Sequence, residues 1–302
     1  FNVVNDEDHE SMYASFKTLL GNGNSLEIDF MSTATDVNDN PQSPSYPALS
    51  YLSPANAIMP GTGGSPFAVP VLWLGRALGS AFPSPIAPRE IETDRFSIGL
   101  SGNFDNGFDW DAHYTVSSED FYGQQPDTST SKFSAAIKGN GGNSGNQTWD
   151  LFTPSNNSAD LIKWISTNQQ TWTETELAVF DFVVTGQWVG MDIASGFQYR
   201  DETFNVARGA SSIAQFDASG NITVPADLLF LGGGLESNAS RDAMAVFIEG
   251  SMNPSDRLEI NTALRYEDLE KDSSINPKIS FRYQATDLSL IHISEPTRLL
   301  AI

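Results

Sequence analysis

Residues 242–284 read DAMAVFIEGSMNPSDRLEINTALRYEDLEKDSSINPKISFRYQ, and they alternate. Met244, Val246 and Ile248 are apolar, while Ala245 and Glu249 beside them are small or charged. Asn253-Pro254-Ser255-Asp256 is a tight polar turn. Leu258, Ile260, Thr262, Leu264 and Tyr266 then alternate with Arg257, Glu259, Asn261, Ala263 and Arg265. After a short acidic loop, Ile279, Phe281 and Tyr283 alternate with Lys278, Ser280, Arg282 and Gln284. Successive side chains of a strand point to opposite faces, so each run predicts a strand with one apolar and one polar face. Three in succession predict an antiparallel meander. The polar face carries full charges at close spacing, and the apolar face ends in Tyr266 or Tyr283. Lipid on one side, water on the other and an aromatic at the interface impose that pattern. A soluble sheet with one solvated face produces it too over a single hairpin, so the rest of the chain decides.

Three more hairpins are legible upstream. Ser11 to Leu20 and Asn24 to Ala34 flank Gly21-Asn22-Gly23-Asn24, a strong short-turn signal. Arg95 to Phe104 and Phe108 to Ser117 flank Asp105-Asn106-Gly107. Leu177 to Thr185 and Val189 to Arg200 flank Gly186-Gln187. Between hairpins lie long polar segments: Thr35 to Asp94, Ser118 to Glu176 and Asp201 to Arg241. Within them Val71 to Leu78 predicts a short helix. Ser158 is a candidate N-cap for another, Ala159 to Ser166, with Leu161, Trp164 and Ile165 on one side. Ser131 to Lys138 has strand character, but the parity of the flanking turns excludes a single membrane strand there. It belongs to the loop, or to a pair. Structureless segments this long are foreign to a compact soluble domain. Short turns near residues 22, 106, 187 and 254, alternating with long loops, match short periplasmic turns and long external loops of an outer-membrane barrel.

Composition narrows the function. The chain has 302 residues and a formal net charge of -22, with a pI near 4.2. A phosphate binder needs a basic stripe, so nucleic acid is excluded as a partner. Cysteine is absent, which removes thiolate metal sites, disulfides and a cysteine nucleophile. No run of about 18 apolar residues predicts a transmembrane helix. Phe1 is not a start methionine, so the lack of a signal peptide carries no information.

The chain resembles the barrel of TonB-dependent outer-membrane receptors over about residues 8–287. The pieces that carry the resemblance are DRFSIGLSGNFDNGFDWDAHYTVSSEDFY (Asp94–Tyr122), MDIASGFQYRDETF (Met191–Phe204) and INPKISFRYQATD (Ile275–Asp287). The resemblance implies a barrel of about 22 strands with a plugged lumen. Nine strands are counted here, so the fold expected is all-β: an incomplete antiparallel transmembrane barrel. It also implies a Gram-negative outer-membrane location, import of a scarce small molecule, no enzymatic activity and no cofactor. The partners implied are outer-membrane lipid, the ligand and the TonB energy-coupling complex, reached through an N-terminal plug and coupling box that this sequence does not contain. A passive substrate-specific porin and a secreted acidic carbohydrate-binding β-protein are the alternatives. LSLIHISEPTR (Leu288–Arg298) resembles the in-frame translation of a transposon-end adapter used in DNA library preparation, so residues 1–287 are taken as barrel and 288–302 as adapter-derived.

Chemistry-bearing motifs are sparse. His9, His113 and His292 are the only histidines, and no nucleophile–base arrangement is defensible from them. His113 shares a strand face with Asp109 and Asp111, yet alternate residues of one strand are too far apart for tight metal coordination without partners. A polar residue lining the lumen is the better reading. Asp36-Val37-Asn38-Asp39-Asn40 departs from a calcium loop, because Pro41 stands where the required glycine belongs. Gly61 to Gly64 and Gly232 to Gly234 lack the strand-to-helix context of a phosphate loop and read as flexible loop. Strand aromatics (Phe16, Phe30, Trp110, Tyr114, Trp188, Tyr199, Tyr266) are expected at lipid or its interface. Loop aromatics are the better ligand contacts, since loops on a rigid scaffold carry function. Trp73, Tyr122, Trp149 and Trp164 are the candidates, with packing inside the loop as the alternative for each.

Overall fold

The structure, a computed structural model, describes residues 5–38, 57–58, 67–72, 77–78, 82, 86–286 and 289–296. In chain order the strands are β1 (Glu7–Gly21), β2 (Asn24–Val37), the two-residue β3 (Ala57–Ile58) and β4 (Val71–Leu72), β5 (Arg89–Asn103), β6 (Asp109–Thr128), β7 (Ser166–Trp188), β8 (Met191–Arg208), the short β9 (Gln215–Phe216) and β10 (Ile222–Val224), β11 (Ser237–Ser255), β12 (Leu258–Asp268), β13 (Ser273–Thr286) and β14 (Ser289–Pro296). Two helices, α1 (Thr130–Ile137) and α2 (Ala159–Ile165), lie between β6 and β7. One ten-stranded sheet runs β1-β2-β5-β6-β7-β8-β11-β12-β13-β14. Every pairing within it is antiparallel between successive long strands. It is an up-and-down sheet that does not close.

The registers carry the two faces unbroken across the strands. One row reads Thr18, Leu26, Leu100, Ala112, Phe182, Phe197, Val246, Tyr266, Ile275. The neighbouring row on the opposite face reads Lys17, Glu27, Gly99, His113, Asp181, Gln198, Ala245, Glu267, Ser274. Burial is inverted relative to a water-soluble protein. On β11 the apolar Met244, Val246 and Ile248 are 49%, 50% and 53% exposed, while Ala243 and Ala245 are 3% exposed. Ser97 and Ser280 of the polar face are also buried. The apolar face is therefore the outer one, left bare for lipid, and the polar face lines the lumen. This sets aside the secreted β-protein, whose apolar faces would be covered by a second sheet. All seven of these strand aromatics (Phe16, Phe30, Trp110, Tyr114, Trp188, Tyr199 and Tyr266) fall on the outer face by register.

The strands outrun the alternation that announces them. β7 has 23 residues, about 75 Å at ~3.3 Å per residue. A tilted crossing needs only about 9–11 residues. Beyond the hydrocarbon both faces meet water, so the pattern fades while backbone pairing continues. β6 accordingly runs to Thr128 rather than Ser117, and β8 to Arg208 rather than Arg200.

Two turns also differ from expectation. The third hairpin closes at Val189-Gly190, not at Gly186-Gln187: Trp188 pairs with Met191, and both turn residues have positive φ (51° and 76°). Gly186 stays in the strand because the Phe108 ring lies over it, 2.6 Å from where a Cβ would stand. In the meander, Asn253 and Pro254 are absorbed by a bulge between Met252 and Ser255, and Asp256-Arg257 form the turn. A bulge is where proline fits a strand, since it has no N–H to give the ladder. Ser289–Pro296 continues the sheet as β14, with Phe281 opposite Ile293. The open edge of β13 offers unpaired N–H and C=O groups, which a following segment of almost any sequence can satisfy. The first hairpin is as expected, Asn22 and Gly23 taking φ of 52° and 78°, the geometry that two-residue turns between twisted strands require.

Replacing Ile260, on the outer face, by Arg should destabilise the chain in phospholipid vesicles by roughly 2–4 kcal/mol if the residue lies near the midplane. Asn261→Arg, on the lumen face, should cost little. Urea unfolding reads both, and equal costs would contradict a lipid-facing outer surface. Val189 is 83% exposed and β-branched at positive φ. Val189→Asn removes that strain without losing packing, so a stabilisation of about 1 kcal/mol is expected in the same assay.

Candidate functional site

Hydrophobic packing among the described residues concentrates in the long loops. Phe133, Ala136 and Ile137 of α1, Leu161 and Ile165 of α2, and Trp149 and Leu151 between them form a core with Ala77. Val71 and Leu78 of the β2–β5 connection and Leu229 of the β8–β11 connection pack against it. Three separate external loops thus share one miniature core over the sheet's long-loop end.

The local sequence explains each part. Ser129 caps α1 by accepting from Lys132 N, and Ser158 caps α2 by accepting from Leu161 N. The second cap was legible; α1 was not, and Ser131 to Lys138 is helix rather than strand. Its N-terminus is fixed from another loop. The Asp227 carboxylate accepts from Ser131 N at 2.7 Å, from Ser131 Oγ at 2.9 Å and from Ser129 Oγ. One residue outside this junction the arrangement is reversed. Asp127, at the end of β6, accepts from Phe230 N at 3.0 Å and Leu231 N at 2.8 Å, and Leu229 N donates to Thr128 O. Two carboxylates, one from each loop, interlock residues 227–231 with the β6–α1 junction.

Glycines allow close approach elsewhere in this roof. Gly234 N donates to Ser212 O, and Ala214 N donates to Gly234 O. A Cβ on Gly233 would stand 2.6 Å from Ser212 O. The Gly232–Gly234 run is therefore a packed crossing, not a flexible loop. Gly61 to Gly64 lie outside the described residues.

The four candidate aromatics have different fates. Trp73 lies outside the described residues, and so does most of the segment expected as a helix; Val71 and Leu72 pair with Ala57 and Ile58 instead. Trp149 has no exposed surface and meets Phe133 edge-on at 6.1 Å, so it holds the roof's core and offers no face to a ligand. Trp164 is half-buried on α2, with the Lys132 ammonium 5.8 Å from its ring centroid. Tyr122 is on a strand, not in a loop. It stacks on Trp172 at 5.2 Å and donates to Gln124 Oε1. Its register with Tyr114 puts it on the outer face, six residues beyond Val116, above the lipid band. Of the calcium-like run, Asp36 and Val37 belong to β2, and Asp39 and Asn40 lie outside the described residues. No cluster of metal-ligating side chains occurs among the described residues. His113 does line the lumen, its ring over Gly99 and its Nε2 2.8 Å from Asp111.

The feature that spacing did not reveal is a chain of charges on the lumen wall. Arg241 meets Glu202; Glu202 meets Arg200 at 3.4 Å; Arg200 meets Glu267 at 2.9 Å; Glu267 meets Arg265 at 3.4 Å. Arg265 donates to Gln198 Oε1, and Gln198 donates to Asp181. Arg200 and Gln198 of β8 reach over β11 to β12. Ala243 and Ala245, their direct partners on β11, lie beneath the bridge, which is why these two positions are small and buried.

Asp127 titrates abnormally. Burial raises its pKa above the ordinary carboxylate value, and backbone N–H groups from Leu231, Thr128 and Phe230 only partly offset this. With residues 227–231 docked as a strap, Asp127 therefore binds its proton more tightly than in the free chain. Strap stability is greatest below the ordinary carboxylate range and falls as pH rises through the raised value. Amide exchange at 228–231, corrected for intrinsic rates, should quicken over that window in the native chain. In Asp127→Asn it should lose the dependence; an unchanged pH profile would remove Asp127 from the latch.

A family model described as TonB dependent receptor-like, beta-barrel matches residues 24–294. Comparison with curated proteins gives no match. Among solved structures the chain is similar to Pseudomonas aeruginosa FpvA bound to heterologous pyoverdines, at 12% identity over 95% of this chain and 35% of that one, with a TM-score of 0.55. It is similar to the ferripyoverdine receptor of the Pseudomonas aeruginosa outer membrane bound to ferripyoverdine, at 12% identity with the same coverage and a TM-score of 0.53. The FpvAI–pyocin S2 complex gives 13% identity, the same coverage and 0.55. At such identities the likeness shows the fold, and the chain spans 35% of the length of these structures. With the family model covering nearly the whole chain, an outer face bare for lipid and a polar lumen wall, the chain belongs to the TonB-dependent receptor-like β-barrel family of the Gram-negative outer membrane.

Proposed function

We propose that this chain is barrel wall and loop roof of an active outer-membrane importer, which takes up a scarce small molecule with energy delivered by the TonB complex. The observation that supports it is the roof. Three external loops share one core, and two carboxylate latches join two of them, above a charged lumen wall. A passive pore needs an open mouth; an importer of a rare ligand benefits from a built surface at the entrance. Siderophore, cobalamin and oligosaccharide ligands all fit a polar lumen of this kind. Two of the similar structures are described with pyoverdines or ferripyoverdine, so an iron chelate is the ligand type to test first. Trp164 is the loop aromatic retained here as a ligand contact. The segment Leu288 to Ile302 is kept apart from the natural barrel on its resemblance to an adapter translation.

The test is uptake in iron-starved cells that lack their own ferric-chelate receptors and carry the complete gene containing this chain. Ferripyoverdine uptake should occur in a TonB-competent strain and fall at least tenfold in its TonB-deficient counterpart. Equal uptake in both strains would favour the passive porin. Import of cobalamin or oligosaccharide in place of iron would keep the mechanism and change the ligand.

A further inference from the structure

Tyr122 and Trp172 stand on the outer wall at a height that lipid does not explain. The interface aromatics of these strands are Tyr114 and Tyr199. Between them and the Tyr122–Trp172 row lie two polar rows, Ser118–Glu176–Thr203 and Asp120–Glu174–Asn205. The apolar band closes at Val116 and Ala178, six residues below the pair. At ~3.3 Å per residue and a tilt of about 45°, the pair stands about 14 Å above that band. A phospholipid headgroup layer is only about 5–8 Å deep.

The two rings are held in place. Tyr122 and Trp172 are direct cross-strand partners, stacked at 5.2 Å with 28° between their planes. Tyr122 Oη donates to Gln124 Oε1 at 2.9 Å, and Gln170 Nε2 donates to Tyr122 Oη at 3.1 Å. The stack covers one face of the indole. On its other side the register partner is Ala207 of β8, too small to cover the second face, and Trp172 is 39% exposed. Two amide oxygens flank that face. Gln170 Oε1 lies 2.8 Å from where a Cβ on Gly209 would stand, so the missing side chain leaves it room on the β8 side. Asn205 Oδ1 has no hydrogen-bond partner, a cost that a donor from outside would remove.

An open indole face edged by neutral amide oxygens suits a sugar ring. The C–H face of a pyranose covers the indole, and its hydroxyls donate to the amides. An anion does not suit it. By register no Lys or Arg stands on the outer face of β5, β6, β7 or β8, and Glu90 and Glu174 flank the pair. Position identifies the occupant. The face is turned away from the lumen, so a molecule passing through the barrel does not meet it. It continues the lipid-facing wall upward, so what lies against it is the headgroup of the lipid below. At this height only a headgroup that carries several sugars reaches it.

We propose that Trp172, fixed by Tyr122 and flanked by Gln170 and Asn205, is a carbohydrate-contact site that holds a core sugar of the outer leaflet's glycolipid against the barrel. The pyranose lies on the indole above Ala207. One hydroxyl donates to Gln170 Oε1, and another to Asn205 Oδ1 once that amide turns outward about its Cβ–Cγ bond. The inference rests on the outer-membrane location and goes beyond the transport reading, on which it does not depend.

The experiment uses the complete protein that contains this chain, in detergent micelles, with native mass spectrometry reading bound lipid. The probes are a rough lipopolysaccharide that keeps its core sugars and lipid A that lacks them. Mg²⁺ is present to screen their phosphates from the carboxylates of Asp120 and Glu174. The core-bearing probe should bind at least tenfold more tightly. Trp172→Ala should bring it down to the level of lipid A, and Trp172→Phe should keep part of the difference. Thr173→Ala, the next residue along the strand and on the lumen face, should change nothing. Circular dichroism reads the fold of each variant. Equal binding of the two probes by the unaltered protein would overturn the proposal without any variant, and so would undiminished binding in a folded Trp172→Ala. Failure of TonB-dependent uptake would overturn the transport reading instead, whichever way these probes behave.

Discussion

Inside a bilayer no water is available to hydrogen-bond a bare N–H or C=O, so each backbone polar group at membrane depth must find its partner in the chain. That constraint organises this molecule. Every long strand from β2 to β13 is paired along both edges with its sequence neighbours. Once the ladders are fixed, the faces are fixed too, because a slip of one residue would exchange lipid-facing and lumen-facing side chains along a whole strand. The unbroken apolar row from Leu26 through Phe182 to Ile275 is the visible result.

The same constraint decides what could be read from the residues alone. Where lipid and water face each other across one sheet, period-two alternation is obligatory, and Met244 to Ile248, Leu258 to Tyr266 and Phe96 to Leu100 announce their strands. Above the membrane the contrast disappears. β6 from Ser118 to Thr128 and β7 from Ser166 to Glu176 look like loop, although they are strand. Glycine misleads in the same way. Gly186 has the composition of a turn but serves to admit the Phe108 ring; Gly99 does so for His113, and Gly196 for Phe247. An aromatic over a glycine across strands is a packing device that only the register reveals.

The roof was legible where its structure is local and hidden where it is tertiary. Ser158 announces α2 because a cap acts within three residues. α1 depends on Asp227, 96 residues from Ser131, and no local signal reports that. Trp149 and Trp164 look alike as loop tryptophans. One is enclosed by Phe133 and the other lies under Lys132 because α1 and α2 pack together. Tyr122 lies where the alternation lapses, and only its pairing with Trp172 shows it to be outer wall.

The lumen wall shows how one strand's small residues serve its neighbours' large ones. Long side chains on β8 can reach β12 only if β11 between them stays low, and Ala243 and Ala245 keep it so. The bridge they permit places Arg200 between Glu202 and Glu267, so both carboxylates are held in place by geometry. With each carboxylate divided between two guanidiniums, removing Arg200 would leave two acids facing each other across β11 without their shared counter-ion. A larger residue at position 243 or 245 would have a similar effect by lifting the bridge. Alternation along β11 thus encodes two things at once. Met244, Val246 and Ile248 set its depth in lipid, and the alanines between them set the electrostatics of the wall opposite.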